Sequence, residues 1–113
     1  MAHPIEHAIL GALSEMVRST RGTTIVVWPK KIARRAGISP KPVALTVISH
    51  ILKKFEEEGH IQNWSTGKKR WKRRRYKLDR GTPLWDYLLH HYRGSETADE
   101  ILQRLTSFDP PYK

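Results

Sequence analysis

The sequence has no cysteine, which excludes a disulfide framework, thiolate metal ligands and a thiol nucleophile. Asparagine occurs once (Asn63), glutamine twice (Gln62, Gln103) and methionine twice. Depletion of thermolabile residues is a trait of proteins from very hot environments and hints at a thermophile. No apolar run approaches the roughly 20 residues that span a bilayer. The first residues have neither the basic start nor the apolar stretch of a signal peptide, so the chain reads as intracellular, cytoplasmic or nucleoid, with no membrane role. Catalytic patterns are also missing. There is no phosphate-cradling Gly-rich loop and no HExxH-like run. His3/His7 and His90/His91 lack accompanying carboxylates, and Glu56, Glu57 and Glu58 look like a solvated helix end. No catalytic residue, metal or cofactor is expected, and the chain reads as a binding protein rather than an enzyme.

What is abundant is positive charge. Across 113 residues, 21 Lys+Arg oppose 11 Asp+Glu, a net charge of +10, which predicts attraction to polyanions. The excess is localised. From Met16 to Phe55 there is no acidic residue, and Arg18, Arg21, Lys30, Lys31, Arg34, Arg35, Lys41, Lys53 and Lys54 are basic. From Lys68 to Lys77, eight of ten residues are basic and none is acidic, whereas Asp79 to Lys113 holds six acidic and four basic residues. A charge run is often only a solvated face or a basic tail. This one is internal and interleaved with Trp71 and Tyr76, which favours an ordered surface.

Periodicity divides the chain into elements. Residues 4–18 place Ile5, Ala8, Ile9, Ala12, Leu13, Met16 and Val17 at helical spacing behind Pro4. Thr23 to Trp28 is β-branched and reads as a strand. Pro29 opens a short helix, Lys30 to Ala36, with Ile32, Ala33 and Ala36 inward and Gly37 as a left-handed cap. Ser39 and Pro40 are expected to start a longer helix, over about 40–58, with the stripe Val43, Val47, Ile48, Ile51, Leu52 and Phe55. His60 to Trp64 and Arg70 to Leu78 read as two strands. A two-residue turn at Gly67-Lys68 would pair Trp64 with Trp71 and Ile61 with Arg74. Ile61, Tyr76 and Leu78 would then face inward, with Trp64, Trp71, Arg73 and Arg75 outward. Thr82-Pro83 opens a further helix, and Thr97 and Glu100 have capping-box spacing ahead of the last.

This order of elements, with the segment Pro29-Lys30-Lys31-Ile32-Ala33-Arg34-Arg35-Ala36-Gly37-Ile38-Ser39 as its most specific part, resembles the winged helix-turn-helix DNA-binding family, of the small archaeal or archaeal-virus type. The resemblance covers residues 4–79. It implies an α+β, mainly α fold with a basic two-stranded wing, a winged-helix domain over 1–79, and a C-terminal helical extension over 80–113. The two prolines beside Lys41 and the density of charge in the wing depart from the usual pattern.

The resemblance implies that the second helix of the motif lies in the major groove of double-stranded DNA. Its outward side would carry Thr46, Ser49, His50 and Lys53, with Lys41 and Ala44 near the start, Ala44 being suited to a thymine methyl. Lys30, Lys31, Arg34 and Arg35 would meet phosphates, two of the four mattering. In the wing, Lys68, Lys69, Arg70, Lys72, Arg73 and Arg75 would meet phosphates or enter a minor groove. Trp71 would stack on a sugar or base, or else pack in the core, with Trp64 as its buttress. Trp28 and Trp85 are assigned to the core. The stripes Leu84, Trp85, Leu88, Leu89 and Ile101, Leu102, Leu105 would close the core or form a homodimer. The function expected is that of a small transcriptional regulator. A nonspecific chromatin-like DNA binder and an RNA- or ribosome-associated winged helix are the alternatives, and a protein-interaction winged helix suits the charge least.

Overall fold

The computed structural model of the chain describes residues 4–63 and 75–107. In chain order these form α1 (Pro4–Ser19), β1 (Thr24–Val27), α2 (Pro29–Arg35), α3 (Pro42–Glu57), β2 (Gln62–Asn63), β3 (Tyr76–Asp79), α4 (Pro83–Asp86) and α5 (Ala98–Ser107). A π-helical turn, Tyr87–His91, continues α4. The fold is α+β and mainly helical, with one antiparallel three-stranded sheet in the order β1-β3-β2. No described helix is long and apolar enough to cross a membrane.

Helix α1 forms because its apolar residues recur at helical spacing, and it buries Ile9, Leu10, Ala12, Leu13, Met16 and Val17. α2, α3 and the π-helical turn pack on it. The sheet adds Ile25, Val27, Ile61, Tyr76 and Leu78 to the same core. Leu84, Trp85, Leu88, Ile101 and Leu105, five of the seven residues considered for a dimer, are buried in this core, while Leu89 and Leu102 pack partly buried against it. Those five side chains therefore close the core, the first of the two roles expected of these stripes.

β3 is held by β1 on one side, with Thr24 opposite Asp79 and Val27 opposite Tyr76. Thr24 Oγ1 donates to Asp79 Oδ1 at 2.6 Å, and the Arg80 N–H reaches the Thr23 carbonyl at 2.7 Å. On its other side Gln62 faces Lys77 and Asn63 faces Tyr76, and the Gly67-Lys68 turn lies outside the described residues. The register is offset by four residues from the one a Gly67-Lys68 turn implies. An even offset preserves the faces, so Ile61, Tyr76 and Leu78 are buried and Arg75 is exposed.

The C-terminal helices are fastened by side chains that satisfy helix ends. Thr82 Oγ1 accepts from the Trp85 N–H, and Thr97 and Glu100 exchange two hydrogen bonds of 3.1 Å as a capping box. Glu6 reaches from α1 to accept the Ala98 N–H at 2.8 Å. The π-helical turn was not expected. It buries both Tyr87 and Leu88, and the Tyr92 N–H closes it on the Tyr87 carbonyl. The buried Ser14 hydroxyl donates to the Leu88 carbonyl at 2.8 Å, satisfying a group at a helix end.

Glu96 is almost fully buried. It accepts from the Tyr87 hydroxyl at 2.7 Å and from the backbone N–H groups of Arg93 and Ser95. Burial alone would raise its pKa, but the hydrogen bonds from Tyr87, Arg93, Glu96 itself and Ser95 outweigh it and lower the pKa below the ordinary glutamate value. A depressed carboxyl stabilises the fold fully above the ordinary glutamate range, and that contribution is lost as pH falls through the depressed value. Glu96→Ala is expected to cost about 2–3 kcal/mol at neutral pH, because it deprives the buried Tyr87 hydroxyl and the partly buried Arg93 and Ser95 N–H groups of their acceptor. Glu96→Gln should cost less, and its deficit should narrow on acidification. Denaturant titrations across the acid range check both; a deficit that stays constant with pH contradicts the assignment.

Candidate nucleic-acid interface

α2 and α3 are joined by a tight turn whose geometry follows from the residue types. The Ile38 N–H bonds to the Ala33 carbonyl at 2.8 Å and the Gly37 N–H to the Arg34 carbonyl at 3.2 Å, with Gly37 at φ 72°. This is the paired arrangement that ends a helix on a left-handed residue, where glycine carries no Cβ penalty. Ile32 and Ala33 point inward, as their spacing predicts.

α3 starts two residues later than Ser39-Pro40 suggested. A residue before proline is pushed out of the helical region, and both Ser39 and Lys41 precede one. Lys41 is accordingly extended (φ −81°, ψ 158°), acts as the N-cap without a side-chain bond, and leaves Pro42 as the first helical residue. Ser39 does not cap. The faces also differ from those expected: Ala44, expected to point outward, is buried in line with Ile48, Ile51 and Phe55, while Val43, expected in the core stripe, is 72% exposed. Val43, Thr46, His50 and Lys53 are all exposed and recur at i, i+3, i+7 and i+10, one face of the helix. Ser49 is half-buried at the edge of that face.

Polar capacity on this face is specific. The Thr46 hydroxyl donates to the Pro42 carbonyl at 2.8 Å, so it offers an outside group an acceptor oxygen and a methyl. Lys41, His50 and Lys53 have no partner among the described residues. There is no acidic residue in the first turn of α3, so its positive helix end is uncompensated.

The four cations of α2 separate into two pairs. Lys30 and Arg34 are exposed with no partner among the described residues. Lys31 Nζ donates to the Val26 carbonyl at 2.7 Å and lies 4.9 Å from the Trp28 ring centroid. Arg35 reaches Glu15 at 3.4 Å and Ser19 Oγ at 3.3 Å. Lys54, just off the outward face of α3, is paired with Asp99 at 2.9 Å.

Trp28 is not a core residue. It is half-buried, and the Arg75 guanidinium sits 5.2 Å from its ring centroid, alongside the Lys31 ammonium. Cations over an indole face are attracted by its quadrupole. The signal was present in the alternation of β1, which buries Ile25 and Val27 and turns Thr24, Val26 and then Trp28 to the other side. Trp85 is buried, as expected. Trp64, Lys68, Lys69, Arg70, Trp71, Lys72 and Arg73 lie outside the described residues. Arg75, exposed at the start of β3, is the described residue nearest in sequence to that basic run.

Elsewhere, a cleft of about 340 Å³ is lined by Gly11, Ser14, Glu15, Arg18, Tyr92, Arg93 and Gly94. Ser14 and Glu15 there are held by Leu88 and Arg35. His90 and His91 each place Nε2 3.8 Å from an Asp86 carboxylate oxygen. Among the described residues, no group of three or more His, Asp or Glu is arranged to hold a metal ion.

No family model matches the chain, and no curated protein or solved structure does.

The division of α2 gives a stability prediction. Lys31→Ala should cost about 1 kcal/mol, through the lost carbonyl bond and ring contact. Lys30→Ala and Arg34→Ala should each stay within about 0.5 kcal/mol of the parent. Chemical denaturation measures all three, and equal losses would refute the separation.

Proposed function

We propose that the protein is a winged helix-turn-helix that binds double-stranded DNA without catalysing a reaction, with α3 in the major groove and residues 60–78 as the wing. The observation that carries this reading is the outward side of α2 and α3. Lys30, Arg34, Lys41 and Lys53 stand there without partners among the described residues, and the segment from Met16 to Phe55 contains no acid. An uncompensated cationic face is costly for an isolated protein and favourable beside phosphates. The order helix, strand, helix, turn, helix, then two strands supports the same reading. So does the glycine-closed turn that sets α3 against α2.

Within that reading the protein serves as a small transcriptional regulator. A nonspecific architectural role is the second reading, and one observation favours it: the exposed face of α3 contains no Arg, Asn or Gln, the side chains that make bidentate base contacts.

Salt titration of binding to duplex DNA and to hairpin RNA tests the proposal. Each phosphate neutralised contributes about −0.9 to the slope of log affinity against log salt. Lys30, Arg34, Lys41, Lys53 and Arg75 alone therefore give a slope of about −4.5, with duplex DNA preferred. The Lys30→Ala, Arg34→Ala double variant should lose about 2 from the magnitude of that slope. Preference for hairpin RNA, or a slope the double variant leaves unchanged, would overturn this use of the face. An enriched motif in a randomised duplex pool separates regulator from architectural binder.

A further inference from the structure

We propose that Val43 reads the 5-methyl group of thymine in the major groove, which makes it a specificity-determining residue of α3. The inference rests on the duplex-DNA reading above and adds to it the base group recognised.

Val43 is the one large apolar side chain that is exposed among the described residues, with 72% of its surface accessible. A single exposed valine needs no explanation by itself. Its position supplies the argument. It is the second residue of α3, directly after Pro42, and shares an exposed face with Thr46, His50 and Lys53. In a helix laid in the major groove, the N-terminal residues meet the base edges. The buried side, Ala44, Ile48, Ile51 and Phe55, fixes the rotation of α3 about its axis, and that rotation turns Val43 outward.

The chemistry of the leading turn is narrow. Val43 presents only aliphatic surface, and the Thr46 hydroxyl proton is already given to the Pro42 carbonyl. Among the base edges of the major groove, the 5-methyl of thymine is the apolar group. A match with G·C edges would require donors or acceptors that Val43 lacks. The core does not require Val43, since Ala44, Ile48, Ile51, Leu52 and Phe55 form the buried side of α3. Uracil has no such methyl, and the major groove of A-form RNA is too deep and narrow for side chains to read. The same residue therefore also selects DNA over RNA.

The test uses the full chain and two A·T-rich duplexes of identical sequence, one with thymidine and one with deoxyuridine at every thymidine position. Affinities are measured at low salt by fluorescence anisotropy. Burying one methyl corresponds to about a fourfold gain in affinity, so the thymidine duplex should bind about fourfold more tightly, or more if several methyls are met. Val43→Ser should bind both duplexes equally, near the parent's affinity for the deoxyuridine duplex, with an unchanged circular dichroism spectrum. Equal binding of both duplexes by the parent overturns the role of Val43 and leaves the duplex-DNA reading standing. Discrimination that persists in Val43→Ser overturns it too, assigning the preference to DNA shape or another residue. Failure to bind either duplex overturns the duplex-DNA reading and this inference with it.

Discussion

Burial of one side of α1 is the interaction on which the other elements depend. Ile9 and Leu10 are fully inaccessible, and Leu13, Met16 and Val17 nearly so, because α2, α3 and the π-helical turn all pack over them. Apolar burial is the main favourable contribution available to a small domain without disulfides or metal. Here it must also offset the mutual repulsion of a net +10 chain. That need explains why the C-terminal stripes are spent internally. Leu84, Trp85, Leu88, Ile101 and Leu105 enlarge a core that would otherwise be closed by α2, α3 and a small sheet.

The acidic residues are used in a way that leaves the cationic face bare. Glu96 is held by Tyr87 and two backbone N–H groups, Glu6 caps α5, and Glu100 completes the box with Thr97. Asp79 is bonded to Thr24 and lies near Lys77. Each of these carboxylates satisfies buried donors or a helix N-terminus, where negative charge is stabilising. Few remain to neutralise Lys30, Arg34, Lys41 or Lys53. A polyanion at that face would relieve the repulsion and thereby stabilise the folded state by mass action.

Local signals were the legible part of the sequence. The stripe of α1, the left-handed Gly37, the Thr82 cap and the Thr97/Glu100 box depend only on residues within a turn or two, and all four lie where spacing predicts them. The misreadings have non-local or competing causes. Ser39 looked like a cap, but the backbone restriction before Pro42 overrode side-chain preference, and the packing of α3 buried Ala44 in place of Val43. The pairing of β3 with β1, fastened by the Thr24–Asp79 bond between residues 55 apart, is a non-local contact that no turn rule contains. The π-helical turn at Tyr87–His91 is a local departure that a 3.6-residue period does not encode. Trp28 was legible but misassigned: its size suggested the core, whereas the alternation of β1 already turned it outward.

These features together give α3 a direction. At its C-terminal end Phe55 is fully buried, Lys54 is tied to Asp99 of α5, and Glu56, Glu57 and Glu58 supply negative charge. At its N-terminal end there is no acid in the first turn and no side-chain cap, Lys41 is exposed, and Val43 and Thr46 lead the face. The helix dipole adds positive potential to the open end and negative potential to the packed one. On the proposed duplex-DNA reading, that polarity favours an approach with the N-terminus of α3 leading, while the last turns are taken up by packing against α5.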